Sequence, residues 1–398
     1  MQSDTIRINT YLTGLYDIDR YLIKFLAFES LKKLSTICKS IHAVLITSPI
    51  HQQLVELRKK NYQLLYNKLK YSTKHGYIKI IKLYIRSNKI KYYDILNLTS
   101  FASKYGQLKI LIYIVKLGAV INTNDALMHA LQNGHLPVIK YLVQLGASVA
   151  VNQCAIRASE HGHLPVVKYF VELGADIMVE NNYALQRASH FGHLEVVKYL
   201  VSLGADITAS NGYIVVFASL NGHLDVVKYL VQVGADIGAG DNCAVRWASE
   251  NGHLDVVKYL VEIGADITVH DHYAVQCASR RGYLDVVKYL VHVGADIGAD
   301  DNCAVRFAAE NGHLDVVKYL VQIGADIKAD DNYAVRWSAM NGHLDVVKYL
   351  VRIGADPTVW DNYAVKKASR NGHLDVVKYL VQIGGDAYYL SNINWLYM

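Results

Sequence analysis

No uninterrupted apolar run in this chain approaches the roughly 18 residues that a membrane-crossing helix needs, and no charged-then-apolar leader opens it. With 52% hydrophobic and 19% charged residues, the expectation is a soluble, unsecreted protein working inside a cell. Cysteine is sparse. The five cysteines form no C-x-x-C pair, and Cys243 and Cys303 occupy equivalent places two repeats apart. Stacked helices stand roughly 10 Å apart, beyond the reach of a disulfide, so a reducing compartment fits. Proline numbers four while Lys, Ile, Asn and Tyr abound, a bias that carries no structural inference. The chain also lacks a G-x-x-x-x-G-K-[ST] phosphate loop, a G-x-S-x-G elbow and any acid pair that breaks the pattern of its neighbours. Nothing supports an enzyme or a cofactor.

Charge is unevenly spread. Residues 1–110 hold 19 Lys and Arg against 6 Asp and Glu, a net +13 that leaves −7 for the remainder. A nucleic acid or another acidic surface could meet that basic part, but a Lys-rich solvated helical face explains it more simply.

What the chain has in excess is repetition. The phrase Asn311 to Ile327, NGHLDVVKYLVQIGADI, recurs nearly unchanged along most of the sequence. Its first glycine falls at Gly76, Gly106, Gly134, Gly162, Gly192, Gly222, Gly252, Gly282, Gly312, Gly342 and Gly372, a spacing of thirty with two steps of twenty-eight. Leu314, Val316, Val317, Leu320, Val321 and Ile323 form a wide apolar face opposite Asp315, Lys318 and Gln322, which predicts an amphipathic helix of about ten residues. Gly312 and Gly324 suit left-handed turns at its two ends, and Asp315 sits where the helix dipole favours an anion. Pro137 and Pro165 replace that Asp in two repeats, a tolerated first-turn residue. Upstream, DNCAVRFAAE predicts a second short helix, with Asp301 or Asn302 as its N-cap and small Ala304 and Ala308 for close contact. A helix this short is marginal alone in water, so each copy completes the core of its neighbour and the product is an all-α solenoid.

The string A-S/A-x-N-G-H-L-D-V-V-K-Y-L-V-x-x-G-A-D-I, as in Ala248 to Ile267 and Ala308 to Ile327, resembles the ankyrin repeat over residues 70 to 385 or so. The repeat is shorter than the usual ankyrin length of about 33 and lacks the T-P-L-H stretch, having Tyr333-Ala334-Val335-Arg336 instead. A truncated finger between repeats follows. The short repeat and Tyr-rich style are similar to ankyrin proteins of giant DNA viruses of amoebae, which implies the host cytoplasm, with the nucleus still open. The organisation expected is an N-terminal helical domain over 1–65, an array of ten to eleven repeats over 66–385, and a closing segment over 386–398.

Residues 15 to 50 lack the thirty-residue period. Leu15, Asp17, Ile18, Leu22, Ile23, Leu26, Leu31 and Leu34, followed by Ile37, Cys38, Lys39 and Ile41, resemble an F-box in their spacing. The stretch departs from it at Leu15, Ser30 and Ile41, where the family favours Pro, Asp and Trp. The resemblance implies that Leu15, Ile18, Leu22, Leu26, Leu31, Leu34, Ile37 and Ile41 dock a ubiquitin-ligase core. The alternative is an ordinary helical cap on the first repeat.

Histidines in the G-H pair recur in most repeats, whereas a catalytic histidine is needed once; tying neighbouring turns by hydrogen bonds is the natural role. His161, His163, His190 and His193, and His270, His272 and Cys277, are locally dense, but repeats about 10 Å apart do not converge four ligands on a metal. Asp300-Asp301 and Asp330-Asp331 lack the glycine and bidentate Glu of a calcium loop.

Positions that change from repeat to repeat are free of the stacking requirement. They lie six, five, two and one residues before the glycine. By resemblance to ankyrin arrays, this first-helix ridge lines the concave face and would hold a protein partner. The candidates are His161, Arg187, His190, Phe191, Phe217, Leu220, Arg246, Trp247, Arg280, Arg281, Arg306, Phe307, Arg336, Trp337 and Met340, with Trp360 on an inter-repeat loop. Arg and aromatic residues are enriched at binding hot spots. Arg246/Glu250 and Arg306/Glu310 should share the ridge at i, i+4; Trp247, Phe307 and Trp337 could instead be packed between helices.

Overall fold

The computed structural model describes residues 66–86, 92–119, 121–386 and 388. The chain divides into two compact bodies, Met1–Phe101 and Ala102–Met398. The F-box-like stretch from Leu15 to Ile41, the expected 1–65 domain and nearly all of the 386–398 segment lie outside the described residues. Within the described residues every regular element is helical, and no helix is long and apolar enough to cross a membrane. In the first body, residues 66–74 and the helix Ile78–Arg86 are helical, Leu69, Ile81 and Leu98 are buried, and the Tyr66 ring meets Phe101 edge-on at 5.3 Å.

The second body is built by repetition, and one repeat explains the rest. The helix Leu314–Gln322 is nine residues long, about 13 Å of rise. Both of its ends are set by glycine. Before it, His313 N donates to Ala308 O at 2.9 Å and Gly312 N to Ala309 O at 3.2 Å, with Gly312 at φ +80. This is the double bond pattern that closes a helix on a left-handed residue. After it, Ala325 N to Leu320 O at 2.9 Å and Gly324 N to Val321 O at 3.1 Å repeat the device, with Gly324 at φ +104. Val316, Val317 and Leu320 are buried, each contributing roughly 1.5–3 kcal/mol. The first helix, Ala299–Glu310, buries Cys303, Ala304, Val305, Ala308 and Ala309. First helices pack on the first helices of adjacent repeats, and the alanines permit the close approach.

The shortened connection between repeats is a left-handed turn. In Ala299–Glu310 the residues Asp300, Asp301 and Asn302 have φ values of 49, 52 and 61. Glu180 to Asn182, Gly240 to Asn242, His270 to His272, Asp330 to Asn332 and Trp360 to Asn362 do the same. Three successive left-handed residues cost on the order of 1 kcal/mol apiece outside glycine, which accounts for the Asp and Asn content. Two sets of hydrogen bonds offset that cost. Asn302 Oδ1 accepts from Asp326 N at 2.8 Å, twenty-four residues on, and Asn152, Asn182, Asn242 and Asn332 make the same bond at 2.8, 3.0, 2.9 and 2.9 Å. His272 substitutes with Nδ1 at 3.2 Å. The expected capping role of Asn302 is therefore corrected: its side chain ties two turns together.

The second set comes from the position six before the glycine. Gln186 Nε2 donates to Asn181 O at 2.7 Å, Gln276 Nε2 to Asp271 O at 2.6 Å, and Arg336 Nε and Nη2 to Asp331 O and Asp330 O at 2.9 and 2.7 Å. Arg246 and Arg306 reach Gly240 O and Asp300 O at 3.3 and 3.1 Å. The residue type varies here because Arg and Gln both donate. Its variation does not mean freedom from structure.

The repeat over 209–220 departs from this scheme at both positions. A short 3-10 turn, Ala209–Gly212, leads into the apolar helix Tyr213–Leu220. Gly212 stands where the others carry Asn or His, and Val216 stands at the donor position. Neither has a side chain that could make these bonds.

Candidate protein-interaction surface

The G-H histidines form a belt across the array. Nε2 of His135, His163, His193, His223, His253 and His313 donates to the carbonyls of Lys104, Gln132, Glu160, His190, Leu220 and Arg280 at 2.9–3.1 Å. Each acceptor lies two residues before the glycine of the preceding repeat. The ring also covers that glycine: a Cβ on Gly312 would stand 2.5 Å from His343 Nδ1. The histidines thus tie neighbouring turns, as their recurrence suggests. Burial pushes His193, His223 and His343 below the ordinary imidazole range, with the carbonyl acceptor opposing. Among the described residues, no three His, Cys, Asp or Glu side chains gather as they would around a metal ion. Burial also pushes the thiols of Cys154, Cys277 and Cys303 up to about 11, so they are protonated and unreactive at neutral pH.

The ridge residues divide into three kinds. Arg336 is only 2% exposed, which corrects its assignment as a surface arginine. Its guanidinium, committed to the turn carbonyls, lies 4.0 Å from the centroid of Trp360. Arg280 and Arg306 are half-buried and also engaged by the following repeat, Arg280 over Phe307 at 3.9 Å and Arg306 on Asp330 at 2.6 Å and over Tyr333 at 5.0 Å. Arg281 is exposed and pairs with Glu250 of the preceding repeat at 2.9 Å. The glutamates that share the ridge with Arg246 and Arg306 bind across the repeat boundary. Glu250 takes Arg281, and Glu310 accepts from Tyr333 Oη at 2.9 Å.

The aromatics also separate. Phe307 is half-buried under Arg280 of the preceding repeat, and Trp337 is half-buried and stacks on Tyr333 of its own helix at 5.1 Å. Trp247, Phe191 and Trp360 are exposed, by 41%, 41% and 55%. Trp360 belongs to the helix Val359–Arg370, within its left-handed turn. His161, His190, Phe217, Leu220, Arg246 and Met340 are half-buried. Arg246 Nη2 approaches Cys243 Sγ at 2.7 Å.

Arg187 lies between repeats. It pairs with Glu160 at 3.2 Å and sits over Phe191 at 4.8 Å and Tyr183 at 5.7 Å. Tyr183, Gln186, Arg187, His190 and Phe217 line a cleft of about 60 Å³. Burial lowers the affinity of His161 and His190 for a proton. The sequence reading passed over the tyrosines nine before the glycine. Tyr183, Tyr213, Tyr273, Tyr333 and Tyr363, which alternate with Cys243 and Cys303, were the signal for these clamps.

Comparison with known proteins agrees with this architecture. The family described as "Ankyrin repeats (3 copies)" matches residues 152–211, 210–271, 248–331, 272–361 and 305–390, and "Ankyrin repeat" matches 122–156. The chain belongs to the ankyrin repeat family, whose arrays are protein-interaction modules rather than catalytic domains. Among solved structures it is similar to that titled "Crystal structure of human ASB11 ankyrin repeat domain". The identity is 21% and the TM-score 0.46, over 51% of this chain and 98% of that one. No curated protein matches.

Proposed function

We propose that the array is the partner-recognition part of an intracellular adaptor, holding one protein on the first-helix ridge. The supporting observation is that stacking consumes Val316, Val317, Leu320 and their equivalents in every repeat, while Phe191 and Trp247 remain exposed on the first helices. Exposed aromatics on a rigid repeat supply contact area at low entropic cost. Residues 15 to 50, by their F-box-like spacing, would dock a ubiquitin-ligase core, and the array would select the substrate. The short repeat, similar to those of giant DNA viruses of amoebae, suits a role in host cytoplasm.

The test is affinity capture from amoebal lysate with the full chain, a chain lacking residues 1–60, and a full-length Phe191→Ala/Trp247→Ala double variant. Ligase components should be lost with the truncation and the remaining partners with the double variant. The engagement of Arg280, Arg306 and Arg336 by their own neighbours favours a second reading, a plain scaffold capped by its N-terminal helices. Identical partners for the full and truncated chains, with no ligase, would select it.

A further inference from the structure

We infer that the cleft around Arg187 and the two aromatics beyond it form one linear binding track for an extended segment of a partner protein, carrying an acidic side chain and two apolar ones at three-residue intervals. The inference rests on the reading of the first-helix ridge as the binding face.

The ridge is not uniform. Beyond residue 270 three of its arginines are closed by the chain itself: Arg280 lies on Phe307, Arg306 on Asp330, and Arg336 beneath Trp360. Around Arg187 the balance of donors and acceptors differs. Arg157 and Arg187 share a single carboxylate, Glu160, at 4.0 and 3.2 Å. Arg187 Nε is buried with no hydrogen-bond partner, as Arg246 Nε and Arg306 Nε also are; what sets Arg187 apart is its neighbour His190, which receives Asn221 on Nδ1 at 3.1 Å and so keeps Nε2 as a donor. Arg187 and His190 line the cleft as donors and no carboxylate lines it, so a carboxylate entering there would form charge-assisted bonds with the guanidinium.

Spacing fixes the rest of the occupant. Arg187, Phe217 and Trp247 hold the same position, five before the glycine, in three successive repeats. Phe217 is half-buried and Trp247 41% exposed. Adjacent helices stand roughly 8–10 Å apart, and an extended chain advances about 3.3 Å per residue. A peptide lying along the array thus meets each successive repeat with every third residue. The pattern is acidic-x-x-apolar-x-x-apolar or its reverse, with the carboxylate at Arg187 and the apolar residues against Phe217 and Trp247.

The test uses the full chain and a phage-displayed library of random dodecapeptides, followed by anisotropy titration of the enriched sequences as labelled synthetic peptides. The expected result is enrichment of the three-residue pattern. Affinity should fall at least tenfold with Arg187→Glu, severalfold with Trp247→Ala, and less than twofold with Arg306→Gln. Arg187→Gln removes the charge while keeping a neutral amide donor and should also bind weakly, which covers any misfolding of the Glu variant; circular dichroism checks both. Enriched peptides without an acidic residue, or binding indifferent to both Arg187 variants, overturn the inference. In that event a loss with Trp247→Ala or Arg306→Gln leaves the ridge standing as the binding face. Binding unaffected by any of the four variants, or no enrichment at all, removes the extended-peptide track and counts against the ridge as well.

Discussion

Arg336 allows a position that varies in sequence to be weighed as a structural tie. Its guanidinium gives two hydrogen bonds, at 2.9 and 2.7 Å, to carbonyls of a left-handed turn and supports Trp360 at 4.0 Å, while the residue is 2% exposed. Truncation to alanine leaves two carbonyls short of a charged donor and removes a desolvated cation–π contact. From hydrogen bonds of this kind and the buried cation–π range, the cost is on the order of 3 kcal/mol. Arg336→Gln is the informative control. Gln186 and Gln276 already make the equivalent bond at 2.7 and 2.6 Å, so the glutamine variant should keep the staple, lose the contact with Trp360 and cost about 1 kcal/mol. Urea denaturation of the full chain, with hydrogen exchange over residues 328–340, measures both. An alanine variant within about 0.5 kcal/mol of wild type, the ordinary range for a surface substitution, would refute the buried-staple account. So would a glutamine variant as damaging as alanine. It also follows that Arg336→Glu would unfold its own turn and cannot serve as a probe of partner binding.

Gly312→Val should destabilise its junction by more than about 2 kcal/mol, since the left-handed φ and the His343 ring both oppose a branched side chain. Gly324→Ala, with nothing near the added carbon, should cost only about 1 kcal/mol; equal thermal shifts for the two would sink the role of the histidine ring. Asn302→Ala should weaken the inter-turn ladder by about 1 kcal/mol, seen as faster exchange at the Asp326 amide, and unchanged exchange there would count against the bond. His193, His223 and His343 are harder to protonate folded than unfolded. Their contribution is therefore complete above the ordinary histidine value of about 6.5 and is lost as pH falls below it. The urea midpoint should drop between pH 7.5 and pH 5, and a flat profile would contradict the burial of the belt. Asp206, Asp266 and Asp356, held down by the hydroxyls and amides of Thr208, Thr268 and Thr358, add a further loss only in the carboxylate range.

The repeat boundaries, the two helices and the histidine belt were legible in sequence because each follows from a residue type recurring at a fixed spacing. Gly312, His313 and Val316 carry their roles in local chemistry. The ridge was less legible. Comparison of repeats separates fixed from changing positions, but a changing position can still satisfy one structural demand with different residues, as Arg336 and Gln276 do. Partner choice across a repeat boundary was hidden too. Arg306 bonds Asp330 rather than Glu310, a preference set by the distance between stacked turns and not by helical periodicity. Asn302 was read within its own helix, where capping is the usual use of Asn, while its acceptor faces the next turn.

The near-identity of the repeats raises a problem of address. Val-Val-Lys-Tyr-Leu helices stack equally well on any neighbour, so a chain folding from several places at once could join wrong copies or skip one, a known failure of repeat arrays. The belt and the ladder do not discriminate, since they are alike at most junctions. The ties that differ do: Arg187 with Glu160, Arg281 with Glu250, Arg306 with Asp330 and Tyr333 with Glu310 each occur at one junction. Modest as each is in energy, together they mark three junctions, where a misjoined copy meets a mismatched charge or an unfilled clamp and can separate before the stack closes around it.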